Sequence, residues 1–304
     1  MKRVVGVVVA VVVVIGVAGF AYLHSASASA PPAKPKVAAD VKVAISTKTY
    51  SMTAGGMKRS YEVIAPTKAP LPASAPIIVF LSGIYASVSS EVNRDDLVPY
   101  VTSDQAELVY PVAYDESWNA ITCCGAAFTH NVNDVAFIEA LVKKIDPGHA
   151  RPIDLIGYSN GARLAYRLVC DDPDLFDQYA MVKGEPTANC IMRKPVTVLQ
   201  LASENDPEVP YKPGDHGSVE SLPMTTLVYS LHQQQDCPAK KTVTHSGSVT
   251  LTTWSACADG TRLGFAVWPG GEHVYPRPPA VSAPAASQVI WSFFTKTKIA
   301  PLPK

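Results

Sequence analysis

The chain lacks an excess of charge of either sign: 26 Lys and Arg stand against 26 Asp and Glu over 304 residues. It also lacks a basic block, so nothing in it raises the positive field that nucleic acid or an anionic membrane surface requires. Of six cysteines, the adjacent pair Cys123-Cys124 has no His or Cys partner nearby at zinc-like spacing, which speaks against a metal centre. No cysteine follows the N-terminal apolar run, so nothing suggests lipid attachment. No internal repeat is visible, which removes solenoids and propellers.

What is present begins with Met1-Lys2-Arg3 and an apolar run from Val4 to Leu23, followed by Ser25-Ala26-Ser27-Ala28-Ser29-Ala30 and Pro31-Pro32. Positive start, apolar stretch and small residues read as a signal peptide, residues 1–28, cut after Ala28 because Pro31 disfavours a cut at Ala30. The run is also long enough to span a bilayer core of ~30 Å, so an uncleaved N-terminal anchor is the competing reading. Both put the body of the protein outside the cytoplasm, secreted, periplasmic or anchored. Loss of residues 1–28 takes away Lys2 and Arg3 and no acid, leaving a net charge of −2 from the 26 and 26 groups of the whole chain. Residues 29–40, with Pro31, Pro32, Lys34, Pro35 and Lys36, read as an extended linker. Residues 41–304, roughly 260 in number, suit one large domain and leave no room for a separate polymer-binding module. In an exported chain, an even cysteine count favours disulfides, and six cysteines allow fifteen connectivities.

Two alternating strands, Val41 to Met52 and Met57 to Ile64, flank a hairpin signal at Ala54-Gly55-Gly56. Ile77–Leu81, Glu107–Pro111, Tyr179–Val182, Val196–Ala202 and Leu263–Trp268 are apolar runs of the kind found in buried parallel strands. Helical spacing predicts helices over Val132–Ile145, ended by Asp146-Pro147-Gly148, and over about Ala285–Phe294. Strands alternating with helices imply an α/β fold, a mostly parallel central sheet with helices on both faces.

The chemistry centres on Gly157-Tyr158-Ser159-Asn160-Gly161, which follows the strand Ile153-Asp154-Leu155-Ile156 and opens into the helical pattern Ala162–Val169. That is the setting of a nucleophile elbow, with small residues around a serine on a tight strand-to-helix turn. A serine hydroxyl needs a base, and the base needs an orienting acid. Elbow proteins supply them in the order Ser, acid, His. Asp206, just past the strand Val196–Ala202, is the best-placed acid; an Asp-Pro turn would account for it without chemistry, and Glu204 and Glu208 are the fallbacks. His273 comes last of the seven histidines, after Gly270-Gly271-Glu272, and is the base. His216, His232 and His245 fall in an inserted helix and hairpin and read as surface residues. The oxyanion donors are then the N–H of Asn160 and one from the loop after Ile77–Leu81, at Ile84.

With these in place the chain resembles the poly(3-hydroxybutyrate) depolymerase-type esterases, an α/β-hydrolase family with feruloyl and acetylxylan esterase-like members. The resemblance runs over most of residues 75–295. It rests on Ser117-Trp118-Asn119-Ala120, Cys123-Cys124-Gly125, Val132-Asn133-Asp134-Val135, the elbow, Asp206-Pro207 with Val209-Pro210-Tyr211, and Gly270-Gly271-Glu272-His273. It implies Ser159, Asp206 and His273 as a triad and the disulfides Cys170–Cys190 and Cys237–Cys257, leaving Cys123 and Cys124 to pair with each other or to stay thiols. Two departures stand out. Leu81-Ser82-Gly83 replaces the family's His-Gly, so the oxyanion loop must be held differently. Tyr275 replaces a Trp in the motif after His273, which keeps an aromatic at the mouth but changes its size and polarity.

The resemblance and the residues together imply an exported serine esterase that needs no metal or organic cofactor and acts through an acyl-enzyme. Trp118, Tyr85 and Tyr275 are candidate substrate contacts. Hydroxyalkanoate esters lead as substrates, with cell-wall feruloyl or acetyl esters second; a surface-binding protein with a vestigial hydrolase fold is the alternative of another class. The expected partner is the ester, not nucleic acid, with a membrane involved only if the N-terminal segment is retained. The sequence leaves the oligomeric state open.

Overall fold

The computed structural model describes residues 44–67, 70–186, 190–217, 222–277 and 283–303. The signal-peptide or anchor segment, the whole of the linker and the start of the first predicted strand lie outside them. Among the described residues, ten strands form one sheet: β1 (Ile45–Ala54), β2 (Met57–Pro66), β3 (Ile77–Leu81), β4 (Glu107–Pro111), β5 (Ile153–Tyr158), β6 (Gln178–Val182), β7 (Thr197–Ser203), β8 (Thr242–Ser246), β9 (Val249–Trp254) and β10 (Leu263–Trp268). Their spatial order is β1-β2-β4-β3-β5-β6-β7-β10-β9-β8. The run from β4 to β10 is parallel, and hairpins close both edges antiparallel.

The helices are α1 (Val88–Val92), α2 (Val98–Thr102), α3 (Gly125–Thr129), α4 (Asp134–Ile145), α5 (Asn160–Asp171), α6 (Met224–Gln234) and α7 (Ala286–Thr295). The pleat of β3 shows how they are distributed. Ile77, Val79 and Leu81 point into a core shared with Phe137 and Leu141 of α4, Leu164 and Leu168 of α5, and Leu227 and Leu231 of α6. Ile78 and Phe80 point the other way, toward Tyr100 and Val101 of α2 and Val289, Ile290 and Phe293 of α7. A strand buried on both faces has no polar face to alternate, which is why these strands read as continuous apolar runs. The predicted mostly parallel sheet with helices on both faces is the architecture found.

Differences from the sequence reading are local. At the first hairpin, Ala54 pairs with Met57. Gly55 and Gly56 fill the two-residue turn at φ of 60° and 81°, a double positive φ that glycine accommodates without strain. The predicted helix at Val132 starts two residues later, because the Asn133 side chain accepts from the Ala136 N–H and caps it. The inserted hairpin β8–β9 is no excursion: it extends the main sheet beyond β10. His232 and His245 lie on α6 and β8 as read, whereas His216 sits in the loop before α6.

Three cysteine pairs are brought together, Cys123 with Cys124, Cys170 with Cys190, and Cys237 with Cys257. The last two each span 20 residues. One ties the end of α5 to the segment leading into β7, and the other ties the end of α6 to the segment leading into β10. Chain-entropy arguments value a link over a loop of that size at about 3 kcal/mol. Among the described residues, no helix is long and apolar enough to cross a membrane.

Leu155 in β5 is fully buried in the core between the sheet and α5. Leu155→Ala is expected to lower stability by about 2–5 kcal/mol through lost transfer energy and the cavity left behind, as read from the shift in urea unfolding midpoint.

Candidate active site

In a doubly wound sheet, the crevice opens where successive connections leave in opposite directions. Here that point lies between β3 and β5, since β4 sits on one side of β3 and β5 on the other. The turn from β5 into α5 stands at this crevice. Its geometry depends on close backbone approach. A Cβ on Gly157 would lie 2.5 Å from the Gly161 carbonyl oxygen, and one on Gly161 would lie 2.2 Å from that of Leu81. Only hydrogen fits in either place. Ser159 is held at φ 52° and ψ −116°, an unfavourable conformation for a residue with a Cβ, costing of order 1–3 kcal/mol. Its own N–H donates to the Val182 carbonyl at 2.9 Å, and its carbonyl accepts from Arg163 N–H at 3.1 Å.

Strand β7 ends three residues before Asp206, and β10 is followed by Gly270 and Gly271 at φ of 72° and 96°, which fold the next loop back toward β5. The result brings together the three residues singled out in the sequence. Ser159 Oγ lies 2.7 Å from His273 Nε2, and His273 Nδ1 lies 3.0 Å from each Asp206 carboxylate oxygen. Asp206 also accepts the N–H groups of Glu208 and Val209, at 2.9 and 3.1 Å. The Asp-Pro turn and the contact with His273 are thus one structure, since the carboxylate that ties the turn also meets the imidazole. Burial pushes the Asp206 carboxyl up. The hydrogen bond and charge of His273, the Glu208 N–H and the Lys183 charge outweigh that and hold it below the usual carboxylate range. Of the fallback acids, Glu204 is exposed, and Glu208 approaches Nε2, at 3.6 Å, rather than Nδ1. Neither makes the contact with Nδ1 that Asp206 makes.

Asn160 opens α5, where an N–H has no acceptor within the helix. Its side chain is used elsewhere: Oδ1 accepts the Trp118 N–H at 2.7 Å and Nδ2 donates to the Trp118 carbonyl at 3.0 Å. The loop after β3 runs beside the serine, since a Cβ on Gly83 would lie 3.7 Å from Ser159 Cβ. Gly83 N–H donates to Glu91 Oε1 at 3.0 Å and Tyr85 N–H to the Glu116 carbonyl at 2.8 Å. The intervening N–H of Ile84 has no acceptor among the described residues. With Ser82 in place of His, the loop is held by Glu91 and by the Trp118 indole, which donates to the Ser82 carbonyl at 3.1 Å.

Two expected substrate contacts are corrected. Trp118 is fully buried, committed by its indole N–H and both backbone groups to bracing Ser82 and Asn160. Tyr275 is also buried, edge-on to Tyr158 with centroids 5.5 Å apart, beneath the mouth rather than at it. Tyr85, 76% exposed, does stand on the rim. Cys123 and Cys124 face Arg163, whose Nη1 lies 3.1 and 3.6 Å from their sulfurs and whose Nη2 donates to Glu185 at 2.6 Å.

The sequence reading missed Lys183 and Glu91. Lys183 follows β6, is almost fully buried, donates from Nζ to the Glu272 carbonyl beside His273, and lies 3.9 Å from Asp206 Oδ2. Burial pulls its ammonium down to about 8 against the attraction of Asp206. The only trace in the sequence is a lysine directly after an apolar strand. Glu91 is fully buried and paired with Arg94 at 3.1 Å; burial raises its carboxyl, with Arg94 and the Gly83 N–H opposing. Among the described residues, no group of three or more His, Cys, Asp or Glu is placed to hold a metal ion. The open groove of about 700 Å³ between β8, β9 and the end of α7 shares no lining residue with this site.

Sheet order, crevice and elbow define the α/β-hydrolase fold. Comparison with known proteins agrees at that level. No family model matches the chain. It is 27% identical over 206 residues to the proposed esterase NocK of Nocardia uniformis subsp. tsuyamanensis, a match covering 60% of this chain and 59% of that relative, less than two thirds of its length. Among solved structures it is similar to the acetyl xylan esterase of Aspergillus awamori, with a TM-score of 0.53 and 13% identity over 76% of this chain and 95% of that one. Native sOPH gives a TM-score of 0.54 and 13% identity over 84% and 92%.

Two measurements check the electrostatics of the site. Because the folded Asp206 carboxyl is depressed, its contribution to stability is present above the unfolded value of about 3.9 and is lost as pH falls through the folded value. The gap in urea midpoint between wild type and Asp206→Asn is therefore expected to be wider at pH 6 than at pH 2.5. Lys183→Met is expected to lower kcat about tenfold with KM little changed, since a loosened Glu272 carbonyl misplaces the imidazole; steady-state kinetics on p-nitrophenyl acetate reads this.

Proposed function

We propose that this protein is an exported serine carboxylesterase. The observation that carries the reading is the continuous contact from the Asp206 carboxylate through His273 to Ser159 Oγ, at 3.0 and 2.7 Å, beside a loop whose Ile84 N–H has no acceptor among the described residues. Nδ1–H donates to Asp206, which leaves Nε2 bare to take the Ser159 proton as Oγ attacks the ester carbonyl. The N–H groups of Asn160 and Ile84 receive the oxyanion. His273 then gives the proton to the departing alcohol, and water repeats the sequence on the acyl-enzyme. Hydroxyalkanoate esters are the proposed substrates, on the motif resemblance over residues 75–295. Three close cysteine pairs support an oxidising compartment outside the cytoplasm.

A hydrolysis panel tests this: p-nitrophenyl acetate and butyrate, hydroxybutyrate oligomers, granular polyhydroxybutyrate, methyl ferulate and acetylated xylan, with wild type and Ser159→Ala in parallel. Turnover is expected to favour hydroxybutyrate esters and to drop by at least about 10³-fold in Ser159→Ala. Preference for ferulate or acetylxylan moves the substrate and keeps the chemistry; equal turnover in the variant overturns the nucleophile. A fluorophosphonate probe is expected to label wild type alone.

A further inference from the structure

We infer that Glu208 sets leaving-group specificity, disfavouring esters whose alcohol part carries a carboxylate close to the bond. The inference rests on the serine-esterase reading above. In that chemistry Nε2 of His273 hands its proton to the departing oxygen, which must come within about 2.6–3.2 Å of it. Glu208 Oε2 lies 3.6 Å from the same nitrogen. The leaving oxygen and the Glu208 carboxylate are therefore within about 7 Å of each other whatever the detailed pose.

Among the described residues, the Glu208 carboxylate has no cationic neighbour other than the His273 imidazole itself, at 3.6 Å. The Asp206 carboxylate has Lys183 Nζ at 3.9 Å on its far side. Arg94, whose guanidinium lies over the Tyr158 ring, is taken by Glu91 at 3.1 Å. Among the described residues, no lysine or arginine forms an ion pair with Glu208. Its backbone N–H is fixed by Asp206 at 2.9 Å, so the side chain is set on the rim by the turn that also sets the acid. The side chain itself is 49% exposed, so it meets solvent beside Nε2 of His273.

A hydroxy acid released from the free carboxyl end of an oligomer carries its carboxylate two carbons from the leaving oxygen. Two like charges about 6 Å apart, in surroundings between protein and water, repel enough to change a rate about tenfold. Esterified or internal units lack that charge. The site is accordingly biased toward internal or capped ester bonds and against release of the terminal unit.

The test compares methyl 3-acetoxybutyrate with 3-acetoxybutyrate, which share the acetyl group to be transferred and differ in the charge on the leaving alcohol. Their kcat/KM ratio is measured for wild type, Glu208→Gln and Glu208→Lys at low and at 0.5 M salt, with p-nitrophenyl acetate and Ser159→Ala as references. Wild type is expected to prefer the methyl ester. Glu208→Gln is expected to cut that ratio about tenfold and Glu208→Lys further, and salt to lower the wild-type ratio most. If wild type turns over p-nitrophenyl acetate and Ser159→Ala does not, but the ratio moves less than twofold in both Glu208 variants, this inference is overturned and the esterase reading stands. If wild type and Ser159→Ala are equal on every ester, both fall together.

Discussion

The contact on which the rest of the rim depends is the approach of Gly161 to the Leu81 carbonyl, where a single carbon would lie 2.2 Å from the oxygen. That contact locks the end of β3 to the start of α5. It fixes where the turn at Ser159 stands, and it places the following loop, through Gly83, against the serine. The polar partners then have a defined target. Without that packing, the 2.7 Å distance to His273 would have no fixed end.

Around this contact, the sheet assigns one job to each strand end. β3 sends out the loop with a spare N–H, β5 the serine, β7 the carboxylate and β10 the imidazole. β6, which carries no marked residue in the sequence, is followed by Lys183, whose ammonium joins the carboxylate loop to the imidazole loop. Burying a lysine is costly unless it is paired. Here one ammonium meets the Glu272 carbonyl and balances Asp206, so its cost is offset by the order it imposes on two loops.

Much of this was legible in the chain. Buried strands declare themselves because a two-faced core demands unbroken apolar runs, as in Ile77–Leu81 and Leu263–Trp268. The elbow declares itself because close backbone approach admits only glycine, so Gly157 and Gly161 leave a mark. What stayed hidden are properties of the assembled rim. Trp118 and Tyr275 looked like aromatic contacts, since a residue type does not say which side of a loop it faces. Lys183 and Glu91 have no spacing rule: Lys183 acts on a backbone group 89 residues away and Glu91 on one eight residues back across a loop, and any surface lysine or glutamate looks the same until the loops are in place. The short α1, α2 and α3 carry too few turns to print a period.

One fastening ties two of these loops together. Arg277, four residues past His273, forms an ion pair with Asp96 at 2.7 Å and donates to the Asn93 carbonyl, also at 2.7 Å. The same short segment begins with Glu91, which grips Gly83. The loop that brings the imidazole and the loop that offers the N–H are therefore buckled to one strap, residues 91–96. In mechanical terms the jaws of the crevice share a hinge plate, so a displacement of residues 91–96 reaches both loops at once.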